Sequence, residues 1–207
     1  MRDSRLDRGF YAQDTVKVAR QLLGKILVRK IGRHVVSGVI TETEAYRHKD
    51  DPASHAFGGM TDRNKAMFGD VGFAYVYFTY GMHYCMNVVA KSKNYKAGAV
   101  LIRALKPQQG IDIMIKNRGT NDVANLTNGP AKLTMAMQIT KKQYGEDLIN
   151  SNSLYITDGI KVGKIIAGPR VGIRNATDRL WNFKVSSFDH HLFAASKEPH
   201  VQEFSPN

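Results

Sequence analysis

The sequence is 207 residues long, 43% of its residues are hydrophobic, and its formal net charge at pH 7 is +12. This length and hydrophobic content fit a single globular domain with a substantial core. The pI near 9.8 favours a polyanionic partner, most simply nucleic acid, with an anionic membrane surface as the alternative.

The composition also argues against membrane insertion, export and metal binding. No apolar run reaches membrane-spanning length, and the stretch from Met1 to Arg5 has no apolar core of a signal peptide. Cys85 is the only cysteine, which rules out an internal disulfide and a cysteine-based zinc or iron–sulfur site in one chain. No two of the seven histidines have the spacing of a helical metal site, and the adjacent His190 and His191 would point apart in a helix or a strand. We therefore expect no cofactor, no metal and no membrane association, and a location inside the cell, in the cytoplasm or nucleoid if the source is bacterial.

The first third of the chain predicts one helix, two strands and a long loop. The expected elements are a helix capped by Asp14-Thr15 and ended by Gly24, a strand over 26–28, a turn at Gly32-Arg33, and a second strand over 34–46. The polar loop over 47–65 follows, and a loop of that length is more often functional or mobile than average.

The segment from Phe73 to Asn87 predicts an aromatic β-hairpin. Alternation along the first strand places Phe73, Tyr75, Tyr77 and Thr79 on one face. Tyr80-Gly81 fits a two-residue turn, which would leave Tyr80 at the tip. An exposed turn tyrosine is usually without a function; the alternative is a wedge that enters a stacked base-pair step.

The remaining residues predict a buried strand, two helices, a second hairpin and a last core segment. The strand over 99–105 has apolar residues on both faces, so we expect cover on both sides. The other expected elements are a helix from Ile111 to about Gly119, a loop to 128, a helix from Pro130 with its stripe at Leu133, Ala136 and Met137, a hairpin turning at Asp158-Gly159 between 154–156 and 160–162, a core segment over 165–173, and a loose tail from about 196 to 207. The whole chain, 1–207, is thus predicted as one compact α+β domain, with a curved, largely antiparallel sheet, peripheral helices and a protruding hairpin.

Glu44 is the first candidate for chemistry. Continuing the strand to Tyr46 places Glu42, Glu44 and Tyr46 on the face that Ile40 occupies in the core. A carboxylate on such a face is costly to bury unless it is paired, and perturbed acids cluster at functional sites. The alternative is that the strand leaves the core at Thr41, so that both acids are solvated.

Arg103 favours the interpretation in which Glu42 and Glu44 are buried. It lies between Leu101 and Leu105 on one face of a core strand, where a guanidinium needs an acid, and Glu44 or Glu42 could supply it. The pairing could be structural or catalytic. Asn87 precedes Val88-Val89 in a strand and therefore needs a specific polar partner.

These residues suit chemistry on nucleic acid better than other chemistries. The sequence contains neither a Gly-Lys-Ser/Thr phosphate loop nor a Gly-x-Ser-x-Gly elbow. Aromatic side chains with positive charge suit stacking on bases, and a carboxylate that activates water suits hydrolysis of a glycosidic bond. Two rivals are a metal nuclease built on Glu42, Glu44, Asp50 and Asp51, and a non-catalytic binder of damaged DNA.

The chain resembles the alkyladenine (3-methyladenine, methylpurine) DNA glycosylase family. The resemblance runs from about Leu22 to Phe183 and rests on motifs that occur in one order. These motifs are Thr43-Glu44-Ala45-Tyr46, His55, Arg63-Asn64-x-x-Met67-Phe68, Tyr75-Val76-Tyr77-x-x-Tyr80-Gly81-Met82-x-x-Cys85-Met86-Asn87, Leu101-Ile102-Arg103-Ala104-Leu105-x-Pro107, Gly129-Pro130-x-Lys132-Leu133 and Arg170-Val171-Gly172-Ile173.

The resemblance implies a monofunctional enzyme of base-excision repair. Such an enzyme flips a damaged purine out of duplex DNA through the minor groove and hydrolyses its N-glycosidic bond, leaving an abasic site. Its partner is double-stranded DNA, and we expect a monomer. The family relationship leaves open whether hypoxanthine or ethenoadenine is accepted besides 3-methyladenine.

The resemblance also implies a role for particular residues. Glu44 matches the general base for the attacking water, and Arg103 and the carbonyl of Val171 match groups that help to hold this water. The matched residues of the base pocket are Tyr46, Ala53, His55, Tyr77 and Asn87, and those of the DNA-contacting surface are Tyr80, which would fill the gap left by the flipped nucleotide, Met82, Arg63 and Lys132. Phe57 and His83 depart from residues found in some relatives, so the assignment of roles by resemblance is weakest in the loop between them.

Overall fold

The computed structural model describes residues 4–186, which form one domain around a curled antiparallel sheet with few helices. Within this range the strands are β1 (Ile26–Ile31), β2 (His34–Arg47), β3 (Ala74–Thr79), β4 (His83–Val89), β5 (Gly98–Gln109), β6 (Leu154–Thr157), β7 (Ile165–Gly168) and β8 (Asn182–Val185). The helices are α1 (Arg8–Tyr11), α2 (Thr15–Gln21), α3 (Ile111–Arg118) and α4 (Pro130–Ala136), with 3₁₀ turns at Lys65–Phe68, Val123–Asn125 and Lys141–Gln143. The predicted tail and the His190-His191 pair lie outside the described residues.

The sheet order brings the candidate residues together. The strands are ordered β3-β4-β5-β2-β1-β6, and β8 pairs with β2 and β7. Every pairing between these strands is antiparallel, which confirms the predicted fold class. The first half of β2 pairs with β1 and its second half with β8, while β5 covers the other edge of β2. The acidic end of β2 is therefore enclosed between β5 and β8.

The helix predicted near the N-terminus is confirmed as α2. Asp14 accepts hydrogen bonds from the backbone N–H groups of Val16 and Lys17, which satisfies donors that the first turn leaves free. Val18 and Ala19 are buried, and the Thr43 hydroxyl donates to the Ala19 carbonyl at 2.7 Å. This helix therefore packs directly behind the part of β2 that carries Glu44.

Irregular pairing between β2 and β5 sets the positions of the acids. Register shifts occur between Ile40 and Glu42 and again between Glu42 and Thr43. Bulges of this kind re-aim side chains and bend the strand. Thr43 and Glu44 are both fully buried, so the solvated alternative for Glu44 is wrong.

The buried strand and both central helices are also confirmed. In β5, Val100 and Leu101 point to opposite faces and both are buried. Gly119, in the left-handed conformation with φ 66°, ends α3. Pro130 opens α4 as its first residue, and the predicted stripe, Leu133, Ala136 and Met137, is completely buried.

The aromatic hairpin forms with a longer turn than predicted. Thr79 pairs with His83, so Tyr80, Gly81 and Met82 all lie in the connection instead of Tyr80-Gly81 alone. Tyr80 and Gly81 have φ values of 51° and 69°, and the Met82 N–H donates to the Thr79 carbonyl at 3.3 Å. The tight turn is therefore present, with one extra residue before β4 begins.

The prediction of a hairpin at Asp158-Gly159 is wrong. β6 pairs with β1 on one side, and residues 4–6 take its other edge, where Leu6 N–H donates to the Ile156 carbonyl and Asp158 N–H to the Ser4 carbonyl. The chain then crosses Gly24, whose carbonyl accepts the Ile160 N–H at 2.9 Å. Both edges of β6 are thus occupied by other segments.

The last core segment, predicted over 165–173, is largely a surface segment. Ile166 and Val171 are 50% and 52% exposed, and β7 pairs only with β8 among the described strands. The buried residue of this segment is Arg170. Among the helices of residues 4–186, none has the length and apolar character needed to cross a membrane.

Candidate active site

Glu44 is a completely buried carboxylate that accepts hydrogen bonds from four parts of the fold. Its Oε2 accepts from the Tyr46 hydroxyl at 2.8 Å and from Arg103 Nη1 at 3.4 Å. Its Oε1 accepts from the Val171 N–H at 2.7 Å and from Asn182 Nδ2 at 2.9 Å. These donors compensate the desolvation of the negative charge.

A second carboxylate shares two of these donors. Glu42 accepts from Arg103 Nε at 2.9 Å and from Asn182 Nδ2 at 2.8 Å, and Lys184 Nζ lies 3.4 Å from the same oxygen. Burial raises the pKa of Glu42, but the Asn182 hydrogen bond and the charges of Arg103 and Lys184 outweigh it, so the pKa lies below its ordinary value. The sequence predicted Glu44 or Glu42 as the partner of Arg103. Arg103 contacts both glutamates, and its contact with Glu42 is the shorter.

A cavity of about 500 Å³ opens beside Glu44. This is a size typical of small-molecule sites. All five residues predicted for the base pocket line it: Tyr46, Ala53, His55, Tyr77 and Asn87. Arg103, Val171 and Tyr80 also line it. The fold thus gathers into one cavity residues that are separated by up to 125 positions in the sequence.

Aromatic rings form one wall of the cavity. The rings of His55 and Tyr77 meet edge to face with centroids 4.7 Å apart, and His55 Nδ1 lies 2.9 Å from the Tyr75 hydroxyl. Burial against these rings, and then the charge of Arg63, lowers the pKa of His55 below 6.5. His55 is therefore neutral at physiological pH. Asn87 is fixed by donating its Nδ2 to the Tyr75 carbonyl at 3.0 Å, which is the specific partner its position required.

The hydroxyl and thiol groups around the cavity are held in their protonated forms. Burial raises the pKa of Tyr77 well above 10, and burial together with the charge of Glu44 does the same for Tyr46. Burial also raises the pKa of the Cys85 thiol. At neutral pH these groups are therefore uncharged.

Of the four residues predicted to touch DNA, Tyr80 lines the cavity and the other three do not. Tyr80 is 84% exposed and Met82 is 67% exposed at the end of the hairpin. Arg63 lies over the Tyr77 ring at 5.5 Å and donates to the Phe78 carbonyl. Lys132 does not line the cavity; its Nζ donates to the side-chain oxygens of Asn125 and Asn128. Their DNA-contacting roles stay predictions.

Sequence reasoning missed Asn182, and it named Asp51 and Arg170 only for a rival metal site and within a family motif, not as a pair. Asn182 bridges both glutamates, but it lies in the four-residue strand β8, which is too short to be recognised from alternation. Asp51 and Arg170 form a fully buried ion pair between two loops. A polar pair whose members are 119 positions apart leaves no periodic signal in the sequence.

The four acids of the rival metal site are engaged by other partners. Glu42 and Glu44 face Arg103 and Asn182, Asp50 pairs with Arg47, and Asp51 pairs with Arg170. Within residues 4–186, no three His, Cys, Asp or Glu side chains form a cluster that could hold a metal ion.

Comparison with known proteins identifies the family. A family model described as "Methylpurine-DNA glycosylase (MPG)" matches residues 9–188. Relatives named "Putative 3-methyladenine DNA glycosylase" include one from Carboxydothermus hydrogenoformans, 49% identical over 86% of this chain and 93% of its own length, and one from Prosthecochloris aestuarii, 45% identical over 98% of this chain and 93% of its own. A third, from Clostridium acetobutylicum, is 45% identical over 87% of this chain and 94% of its own. The chain therefore belongs to the methylpurine-DNA glycosylase family and is a DNA glycosylase, a hydrolase of DNA repair.

Proposed function

We propose that this enzyme removes alkylated purines of the 3-methyladenine type from duplex DNA by hydrolysing the N-glycosidic bond with a Glu44-activated water. The observation that carries the proposal is a buried, four-fold hydrogen-bonded carboxylate beside a cavity with aromatic walls. The relatives named above carry 3-methyladenine in their names, which supports this substrate class.

Glu44 serves the reaction in two ways. Departure of the purine leaves positive charge on the sugar, and a nearby carboxylate stabilises that charge. The attacking water must also lose a proton, which Glu44 accepts. Its Oε2 contacts Tyr46 and Arg103 and its Oε1 contacts Val171. All three donors line the cavity, so a water entering from the cavity would reach this carboxylate.

The aromatic wall favours a positively charged base. An N-alkylated purine carries positive charge, and electron-rich rings such as Tyr46 and Tyr77 attract cations by roughly 0.5–2 kcal/mol per good contact. A protonated imidazole would repel such a base, and the lowered pKa of His55 avoids this at physiological pH. A cationic purine is also a good leaving group, so a water and a carboxylate suffice without a stronger nucleophile.

The hairpin supplies a means of holding the base outside the helix. Tyr80 and Met82 project their side chains into solvent beside the mouth of the cavity. We propose that the enzyme binds as a monomer from the minor groove and that Tyr80 occupies the space of the flipped nucleotide. Unstacking costs a few kcal/mol, and an inserted side chain offsets part of that cost.

The test is release of free base from a methylated duplex in the presence of EDTA. We expect 3-methyladenine in the supernatant and strand breaks only after alkali treatment, which cleaves abasic sites. Strand breaks without alkali, or loss of all activity with EDTA, would instead support a lyase or a metal nuclease. Retention of methylated DNA without any release would support a binder that lacks the chemistry.

A further inference from the structure

The ion pair between Asp51 and Arg170 is the most buried charged contact beside the cavity. Both side chains have no exposed surface. Arg170 donates Nη1 to Asp51 Oδ2 at 2.6 Å and Nη2 to Asp51 Oδ1 at 2.7 Å, a two-pronged geometry that fixes distance and orientation together.

Stability alone does not account for this pair. Removing both charges from water costs as much as their attraction returns, and apolar residues of the same volume are often equally or more stabilising. The pair also lies away from the water-accessible surface where it could steer DNA. What the pair does provide is a fixed geometry between the two loops that carry it.

On one side, the pair shapes the loop that forms the cavity wall. Asp51 accepts the backbone N–H of Arg47 through Oδ2 at 3.1 Å and that of Ala53 through Oδ1 at 3.2 Å. Ala53 and His55, which follow directly, line the cavity. The carboxylate of Asp51 therefore holds the start of the base-pocket wall.

On the other side, the pair fixes the surroundings of Glu44. Arg170 Nη1 also donates to the Ala45 carbonyl at 2.9 Å, and its guanidinium lies 4.7 Å from the ring centre of Tyr46. The next residue, Val171, donates its N–H to Glu44. Arg170 thus contacts Ala45 and Tyr46, the two residues that follow Glu44 in β2. It also directly precedes Val171, which donates one of the four hydrogen bonds that Glu44 accepts.

We propose that Asp51 and Arg170 are positioning residues, which hold the base-pocket loop at a fixed distance from the Glu44 carboxylate. This inference rests on the proposed function, because it concerns the geometry of that reaction. The glycosidic bond of a base seated against Ala53 and His55 must meet a water beside Glu44. A displacement of about 1 Å between reacting groups lowers a rate by about 100-fold.

The decisive variant replaces both charges by apolar residues of similar size, Asp51→Leu with Arg170→Met. Apolar replacement of a buried ion pair is often neutral, but here it also removes the partners of the Arg47 and Ala53 N–H groups and of the Ala45 carbonyl. We therefore expect a folded variant whose unfolding midpoint is lower than that of the wild type. The single-turnover rate of base release should fall by about 10- to 100-fold, because the loops lose their shared anchor. Affinity for a duplex carrying a stable abasic-site analogue should stay within about threefold, since the phosphate contacts that supply most of the affinity are untouched.

The matched control changes another Asp–Arg pair. Arg8 and Asp147 form an ion pair at 2.8 Å that is partly exposed and does not line the cavity. Arg8→Met with Asp147→Leu should release base at the wild-type rate. If the wild type and this control release no base, the proposed function fails. If both release base and the Asp51/Arg170 double variant matches them, the positioning role is contradicted.

A conservative single variant keeps the inference testable if the double variant does not fold. Arg170→Lys retains the positive charge but cannot make the two-pronged contact or stack on Tyr46 in the same way. We expect a folded enzyme with a slower single-turnover rate and unchanged affinity for the abasic-site duplex. A wild-type rate in Arg170→Lys would overturn the proposal.

Discussion

At the scale of single residues, the site depends on charges that are buried and shared. The donors to Glu44 come from β2, β5, β8 and the loop after β7, so no single segment supplies them. Arg103 and Asn182 each contact both Glu42 and Glu44, which lets two carboxylates lie close together without unpaired charge. The Glu44 carboxylate is therefore held by a hydrogen-bond network that also includes Glu42.

The lowered pKa of Glu42 leads to a prediction about acid stability. Because the folded-state pKa lies below 4.5, the unfolded chain takes up this proton first as pH falls, and the charge of Glu42 stabilises the fold only above that range. We expect the free energy of unfolding to fall below about pH 4.5, and Glu42→Gln to be less stable than the wild type at pH 7 and less sensitive to acid.

Urea unfolding at pH 7 and pH 4 measures this difference. Asp158→Asn is the control, since Asp158 is 66% exposed in its surface pair with Lys25 and such pairs contribute little. If the free energy of unfolding falls by the same amount from pH 7 to pH 4 in Glu42→Gln and in the wild type, Glu42 does not stabilise the fold through its charge.

At the scale of elements, close backbone packing replaces the expected second hairpin. A Cβ added at Gly159 would lie 2.0 Å from the Gly24 carbonyl oxygen, so this glycine permits the chain to cross the end of α2. We expect Gly159→Ala to lower the free energy of unfolding by about 1–3 kcal/mol, the usual cost of overpacking. Gly58→Ala, where nothing lies within 4 Å, should change it by less than about 0.5 kcal/mol.

Thermal or urea unfolding of the two variants compares these positions directly. Equal stability of Gly159→Ala and Gly58→Ala would mean that the backbone near Gly24 moves aside without cost.

The elements that sequence predicts well here are those with local signals. Capping by Asp14, the Pro130 start of α4 and the alternation of the aromatic hairpin are all readable within a few residues. The false hairpin at Asp158-Gly159 had an equally strong local signal, but its partner edge is taken by residues 4–6, a non-local competitor. Burial of Glu44 was indicated by its position after Ile40, whereas its donor Asn182 and the pair Asp51–Arg170 depend on contacts across the chain.

At the scale of the whole molecule, the charge of +12 predicts strong salt dependence of DNA binding. Each cation that neutralises a phosphate releases counterions, so the slope of log K against log salt reports their number. Arg63, beside the hairpin and the cavity wall, is expected to contribute one such contact. Arg63→Gln should then reduce the slope by about one unit relative to the wild type.

Binding to a duplex with an abasic-site analogue across a salt series provides this slope. Arg33→Gln is the control, since Arg33 is exposed at the turn between β1 and β2, away from the cavity. If the slope is the same in Arg63→Gln and in the wild type, Arg63 does not contact a DNA phosphate.

The most direct test of the account is single-turnover base release by Glu44→Gln. A methylated duplex is mixed with excess enzyme, and affinity for the abasic-site duplex and the unfolding midpoint are measured on the same preparation. Loss of the general base and of the negative charge beside the sugar should slow release by at least about 100-fold, while DNA affinity stays within about threefold and the variant remains folded. A folded Glu44→Gln that releases base at the wild-type rate would contradict the assignment of Glu44 as the catalytic carboxylate.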